Sequence, residues 1–143
     1  MKKVFFVLGI TLIVISSCKK EAGEGGQATI TGKIWARNVR PDFGALYNQG
    51  PGADIDVYII YGDDATYGNR VKSGPDGVYE FDYLRKGNYK IYAYSKDSVA
   101  TVATPPYSPS NPDLHAPNKA IIKSVEITSK KQTVDAGTIV IEN

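Results

Sequence analysis

The sequence of 143 residues contains one cysteine and one histidine. A single cysteine excludes an intramolecular disulfide framework and a cysteine-based zinc cluster, and a single imidazole excludes any site that needs two. Most hydrolase and metalloenzyme chemistry is excluded with them. We therefore expect no enzyme, no metal and no cofactor. The one histidine, His115, lies between Pro112 and Pro117 and is expected in a solvated loop.

The chain also has little excess of either charge. It has 17 basic and 15 acidic residues, and the excess comes from Lys2 and Lys3 at its start. Without residues 1–17, which contain no acid, 15 residues of each sign remain. A neutral domain without a basic stripe releases few counterions from a phosphate backbone, so we expect no nucleic-acid partner.

The apolar run near the start is too short to span a bilayer. Residues 4–15 follow Lys2 and Lys3 and would form a helix about 18 Å long, against a hydrocarbon thickness of roughly 30 Å. A cationic start, a short apolar run and then small residues are typical of a secretory signal peptide. The small residues, Ser16 and Ser17, directly precede the one cysteine, Cys18.

The stretch Ile15-Ser16-Ser17-Cys18 resembles the lipobox of bacterial lipoproteins. The resemblance implies cleavage after residue 17, a diacylglycerol on the Cys18 thiol and attachment to a membrane through two or three acyl chains. At ~0.8 kcal/mol per buried CH₂, such an anchor is effectively permanent. The alternative is an ordinary signal peptide followed by a buried core cysteine.

The residues after the cysteine bear on location and on the tether. Lys19 and Lys20 follow with no aspartate, which favours the outer membrane and leaves open which of its faces carries the protein. Residues 18–27 contain three glycines and no apolar periodicity, so they are expected to form the lipidated cysteine and a flexible tether.

From residue 28 onward, apolar side chains recur with a period of two, which predicts strands. Turns rich in Gly, Pro and Asp separate them, and no amphipathic helix is indicated. The pattern predicts an all-β, seven-stranded, two-sheet sandwich over residues 28–143, with a long loop at 38–52. The expected strands are residues 28–37, 53–60, 67–73, 78–83, 88–96, 120–128 and 133–142.

Three stretches carry a family resemblance: GADIDVY at 52–58, PDGVYEF at 75–81 and LRKGNYKI at 84–91. They resemble the transthyretin-like (prealbumin-like) sandwich of carboxypeptidase regulatory-like and Cna-B domains, over about residues 28–141. The resemblance implies Greek-key topology and a tight hairpin at Asp76-Gly77. It implies no single activity, since such modules serve as stalks, spacers, adhesin units and accessory domains. Transthyretin-related hydrolases need several histidines, which this chain lacks.

Aromatic side chains supply the candidate ligand or partner surface. Trp35, Tyr58, Tyr92 and Tyr94 fall on the outward phase of their expected strands, and Tyr107 lies in a loop. Flat rings with a polar tip are common on surfaces that bind sugars or proteins. The alternative is that tyrosine is a good strand former whose hydroxyl stays in water.

Two further segments leave alternatives open. The connection at residues 97–118 holds five of the eight prolines, and it is either a partner-binding loop or a plain crossover between sheets. Its start, Asp97-Ser98-Val99, weakly resembles a bacterial O-glycosylation signal at Ser98. The acidic residues at 54–64 are interpreted as a solvated face, because no calcium-loop pattern contains them.

These observations lead to three functional hypotheses. The first is a non-catalytic module anchored to the outer membrane, which binds a glycan or a protein partner, or acts as a spacer, in a cell-envelope assembly. The second is a structural module that assembles through exposed strand edges. The third is a transthyretin-related small-ligand carrier or hydrolase. A clustered aromatic patch favours the first, a long unprotected edge strand the second, and a polar cavity around His115 the third.

The replacement Cys18→Ser tests the anchor. It removes the thiol that would carry the lipid, so we expect the protein to move from the membrane fraction to the soluble fraction. Cell fractionation followed by immunoblotting measures the change. Continued attachment of the Cys18→Ser protein to membranes would contradict the prediction.

Overall fold

The computed structural model describes residues 21–39, 45–97 and 118–143. Cys18, Tyr107 and His115 lie outside these segments, as does nearly all of the proline-rich connection. In the described segments no helix is long and apolar enough to cross a membrane. Those segments form eight strands and no helix: β1 (Glu24–Val39), β2 (Leu46–Pro51), β3 (Asp56–Tyr61), β4 (Asn69–Lys72), β5 (Val78–Leu84), β6 (Gly87–Lys96), β7 (Asn118–Ile127) and β8 (Thr133–Glu142).

The first sheet is built on β1, which pairs with three strands. β8 runs parallel along one edge of β1, and β5 and β2 run antiparallel along the other, one after the other. Between those two strands, the Ile34 amide donates to the Gly77 carbonyl at 2.8 Å and the Ile34 carbonyl accepts from the Gly52 amide at 3.0 Å. The edge of β1 that pairs with β5 and β2 therefore stays hydrogen-bonded where one partner strand ends and the other begins.

The second sheet is antiparallel, in the order β4-β3-β6-β7. Its inner face packs against the inner face of the first sheet, and together they bury one continuous apolar core, so the predicted all-β, two-sheet sandwich is confirmed. The core residues are Ala28, Ile30, Ile34, Ala36, Val57, Ile59, Tyr79, Phe81, Leu84, Tyr89, Ile91, Ala93, Val125, Ile127, Ile139 and Ile141.

The predicted number of strands, seven, is wrong, because β2 (Leu46–Pro51) lies within the expected loop at 38–52. All but one of its residues are exposed, so the strand has no inward apolar alternation that a sequence pattern could detect. Main-chain pairing with β1, from Trp35 opposite Pro51 to Val39 opposite Leu46, holds it in place.

The turn at Gly74–Gly77 forms as predicted, but it is not a hairpin. The Gly77 amide donates to the Gly74 carbonyl at 2.9 Å, and Gly77 has a φ of 80°. A Cβ at Gly77 would lie 2.4 Å from the Ile34 carbonyl oxygen, so the position requires glycine. The strands on either side belong to different sheets, since β4 pairs with β3 and β5 pairs with β1.

A bulge near the end of β5 breaks the alternation of its side chains. Phe81 lies opposite Ile30 and Leu84 lies opposite Ala28, so β5 has one residue more than β1 in this interval. Tyr83 takes a φ of 58°, which is rare for a residue with a side chain. As a result Leu84 enters the core and Tyr83 stays outside.

β1 begins at Glu24, four residues before the expected start of the domain at residue 28. The preceding Gly23 is hydrogen-bonded to the sandwich: its amide donates to Tyr89 Oη at 3.0 Å, and its carbonyl accepts from the Arg85 amide at 2.8 Å. Tyr89 Oη also donates to the Arg85 carbonyl at 2.7 Å. Part of the expected tether therefore belongs to the folded domain.

Glu24 is fixed as well. Its Oε1 accepts hydrogen bonds from Tyr61 Oη and Asn69 Nδ2, each at 2.9 Å. Burial, together with the bond to Glu24, raises the pKa of Tyr61. Since the core and these bonds lie within residues 22–143, a chain of residues 19–143 contains the whole described sandwich.

Two buried tyrosines give opposite predictions when their hydroxyls are removed. Tyr89→Phe loses the bonds to Gly23 and Arg85, so we expect the free energy of unfolding to fall by about 1–3 kcal/mol. The Tyr79 hydroxyl is buried without a hydrogen-bond partner among the described residues, so Tyr79→Phe should be neutral or stabilising. Urea unfolding of residues 19–143 measures both variants. Equal losses for the two would contradict this interpretation.

Alkaline pH should destabilise the fold through Tyr79. Burial raises its pKa from 10.0 to about 12, so between those values the folded chain keeps a proton that the unfolded chain has lost. The free energy of unfolding is then unaffected by this group below pH 10.0 and falls as the pH rises towards 12. Urea unfolding at a series of pH values should show a shallower fall for Tyr79→Phe than for the unchanged chain.

Candidate functional site

Three of the predicted surface residues lie on the outer face of the second sheet. Val57 and Ala93 are directly opposite each other in β3 and β6 and are fully buried in the core. Side chains alternate along a strand, so the next residues, Tyr58 and Tyr92, project from the opposite face, and Tyr94 follows two residues later. Three of the outward positions in these two strands are therefore tyrosines.

Four tyrosine rings contact one another on this face, and we call them the tyrosine cluster: Tyr58, Tyr67, Tyr92 and Tyr94. Tyr58 and Tyr92 are stacked, with centroids 4.9 Å apart and planes 12° apart. Tyr94 meets them edge-on at 5.7 and 5.6 Å, and Tyr67 meets Tyr58 edge-on at 5.0 Å. Such pairs contribute about 0.5–1.5 kcal/mol each beyond the area they bury.

The cluster is part of a row that crosses all four strands of the sheet. Arg70 of β4 lies opposite Tyr58, Tyr58 opposite Tyr92, and Tyr92 opposite Ile122 of β7. Ile122 is 54% exposed, so it adds an accessible aliphatic side chain next to the rings. The row therefore has a cation at one end, two stacked rings in the middle and an exposed aliphatic group at the other end.

Charged side chains border the cluster. A hydrogen bond to Tyr58 and the nearby Asp56 carboxylate raise the pKa of Arg70. Arg70 Nε lies 3.7 Å from Asp56 Oδ1, and Lys72 Nζ lies 2.8 Å from Asp54 Oδ1. These carboxylates face cations, and no three His, Cys, Asp or Glu side chains in the described segments are placed to hold a metal.

The members of the cluster differ in accessibility. Tyr92 is 9% exposed, and burial raises its pKa, with a smaller contribution from Tyr94. Tyr94 is 47% exposed and Tyr67 is 52% exposed. Tyr92 and the half-buried Tyr58 thus form a floor, and the other two rings remain open to a ligand. The arrangement can stack against a flat apolar surface and hydrogen-bond through hydroxyl groups.

The five residues of the predicted surface do not form one patch. Trp35 lies on the outer face of the first sheet, between Pro51 and Val140 in the neighbouring strands, with its Nε1 3.4 Å from Gln49 Oε1. The core separates it from the tyrosine cluster. Tyr107 falls outside the described residues.

Sequence reasoning missed Tyr67, Arg70 and Ile122. Tyr67 precedes β4, and only the pairing of β4 with β3 brings its ring over Tyr58. Ile122 did leave a signal in the sequence. It follows Ile121 directly, and because neighbouring residues in a strand face opposite sides, one of the two must project outward.

No family model matches the sequence, and no curated protein matches it. The structure is similar to the crystal structure of a candidate carbohydrate binding protein from Pseudomonas aeruginosa, with a TM-score of 0.45 and 12% identity over 85% of this chain and 92% of that one. It is also similar to the crystal structure of (S)-allantoin synthase, with a TM-score of 0.41 and 10% identity over 83% of this chain. The match spans 42% of that second protein.

Proposed function

We propose that this protein is a non-catalytic lipoprotein of the outer membrane that uses the tyrosine cluster to bind glycans in a cell-envelope assembly. In this proposal the sandwich has transthyretin-like, Greek-key topology, and Cys18 carries the lipid. The observation that carries the proposal is the packing of four tyrosines on the solvent side of the second sheet, with centroid distances of 4.9 to 5.7 Å.

The chemistry of the cluster suits a sugar. One face of a pyranose ring presents C–H groups that pack on an aromatic ring, and its hydroxyls need hydrogen-bond partners at the edge. Tyr67 and Tyr94 offer accessible rings, and Arg70 and the tyrosine hydroxyls supply donors. The solvent face of an antiparallel sheet is usually polar, so a contiguous aromatic and aliphatic surface there favours a binding role.

The edges of the two sheets offer less support for the hypothesis of assembly through strands. β7 is the longest edge strand of the second sheet, and it carries Lys119 and Lys123 in register with inward-facing residues of β6. Inward lysines on an edge disfavour pairing with another chain. β8 is interrupted by a bulge near Gly137, and β2 ends in Pro51. These features are typical of strands that avoid edge-to-edge contact.

A glycan array with the chain of residues 19–143 tests the proposal. The matched pair is a double variant of the exposed rings, Tyr67→Ala with Tyr94→Ala, and a control on the first sheet, Tyr47→Ala with Trp35→Ala. Tyr47 is 69% exposed, so its loss should disturb the fold little. We expect the cluster variant to lose about tenfold or more in glycan affinity, and the control to bind as the unchanged chain does.

Two results would overturn the proposal. One is capture of no glycan by the unchanged chain. The other is equal affinity of the cluster variant and the unchanged chain, with both shown to be folded by circular dichroism. Loss of binding only in the Tyr47 and Trp35 variant would move the site to the first sheet. A pull-down of envelope proteins with the same variants examines the protein-partner alternative.

A further inference from the structure

A group of cations lines a groove at the end of the sandwich where β1 begins. The groove has a volume of about 580 Å³ and lies between the turn that joins β5 to β6 and the turn that joins β7 to β8. Its charged residues are Arg85, Lys86 and Lys130, and the backbone of Gly25 and Gly26 forms one wall. We call it the basic groove.

The cations of the basic groove have no acidic partner among the described residues. Elsewhere in the same segments Arg37, Lys72 and Lys90 each lie within 4.0 Å of a carboxylate, but no ion pair involves the groove residues. Two acids near this end are bonded to other side chains. Glu24 accepts from two side chains, and Asp82 accepts from Thr29 Oγ1 at 2.6 Å. The groove therefore presents positive charge to an external anion.

An exposed aromatic ring lies beside the groove. The bulge in β5 turns Tyr83 outward, where it is 73% exposed and borders a shallow depression with Gln27, Asp82 and Lys131. Its φ of 58° is a costly conformation for tyrosine. A tyrosine next to lysines is a combination enriched where proteins meet the headgroup region of a bilayer, because the ring is apolar and its tip is polar.

The N-terminal segment places this end of the sandwich near the proposed lipid. Gly23 is bonded to the backbone of Arg85, which lines the groove. Cys18 comes five residues earlier, so a fully extended chain separates the two by at most about 18 Å. A lipid on Cys18 would let the cations reach the bilayer surface, and the attraction of anionic headgroups acts within about 8–10 Å of that surface.

We infer that the basic groove is a docking surface for anionic phospholipid headgroups, with Tyr83 resting at the interface. The inference rests on the anchor proposed at Cys18, which determines the end of the sandwich that faces the bilayer. Arg85, Lys86 and Lys130 bind the phosphate groups, and the tyrosine cluster on the outer sheet face stays free for its own ligand. The domain would then have a defined orientation on the membrane, and would not rotate freely about the segment that joins it to Cys18.

Vesicle co-sedimentation with the chain of residues 19–143 tests this inference without the lipid. The vesicles are pure phosphatidylcholine, or phosphatidylcholine mixed with phosphatidylglycerol, each at low and high salt. The groove variant combines Arg85→Gln, Lys86→Gln and Lys130→Gln. The control loses the same charge at sites away from the groove: Lys33→Gln, Lys72→Gln and Lys96→Gln.

We expect the unchanged chain to bind the anionic vesicles and to be released by salt. The groove variant should lose about tenfold or more in partition, since each cation near an anionic surface contributes separately. The control variant should lose much less. Equal loss in both variants would overturn the inference, because net charge alone would then explain the binding.

Other results would also overturn it. Absence of binding to anionic vesicles is one. A second is binding of inorganic phosphate or glycerol phosphate by a chain that does not bind the anionic vesicles. That result would assign the groove to a soluble anion. These results can be told apart from a failure of the proposed function, because the glycan array tests the tyrosine cluster and Cys18→Ser fractionation tests the anchor.

Discussion

The pairing of β1 with three other strands is the constraint on which the rest of the structure depends. This strand of 16 residues is hydrogen-bonded to β8 on one edge and to β5 and β2 on the other. Its alternation sends Ile30 and Ile34 into the core and Trp35 outward. Because the first sheet is assembled around it, the inner face against which the second sheet packs is set by the register of β1.

The second sheet has an apolar inner face that stabilises the fold and an outer face that carries the tyrosine cluster. Ile59 and Ile91 lie opposite each other on the inner side, and Tyr58 and Tyr92 do so on the outer side. The inner pair stabilises the sandwich by burial, roughly 1.5–3 kcal/mol for each side chain. The outer pair adds ring stacking on the solvent side of the sheet, and our proposal assigns this side to a ligand.

The two proposed surfaces lie in different directions. The tyrosine cluster occupies the broad face of one sheet, and the basic groove occupies the end where the chain enters the sandwich. An anchor at that end would turn the basic groove towards the bilayer and leave the aromatic face at the side of the sandwich. In that arrangement a single small sandwich can be held at a membrane and bind a neighbouring envelope component at once.

The sequence by itself determined the fold class, the outward phase of Tyr58, Tyr92 and Tyr94, and the turn at Gly74–Gly77, because alternation and turn geometry are local properties of the backbone. Only the tertiary structure decided which strands are neighbours. It added β2, placed the ring of Tyr67 over Tyr58, and put Trp35 on the other sheet. It also joined two distant turns into the basic groove. Register and neighbour order depend on contacts between residues far apart in the chain, and no local pattern encodes them.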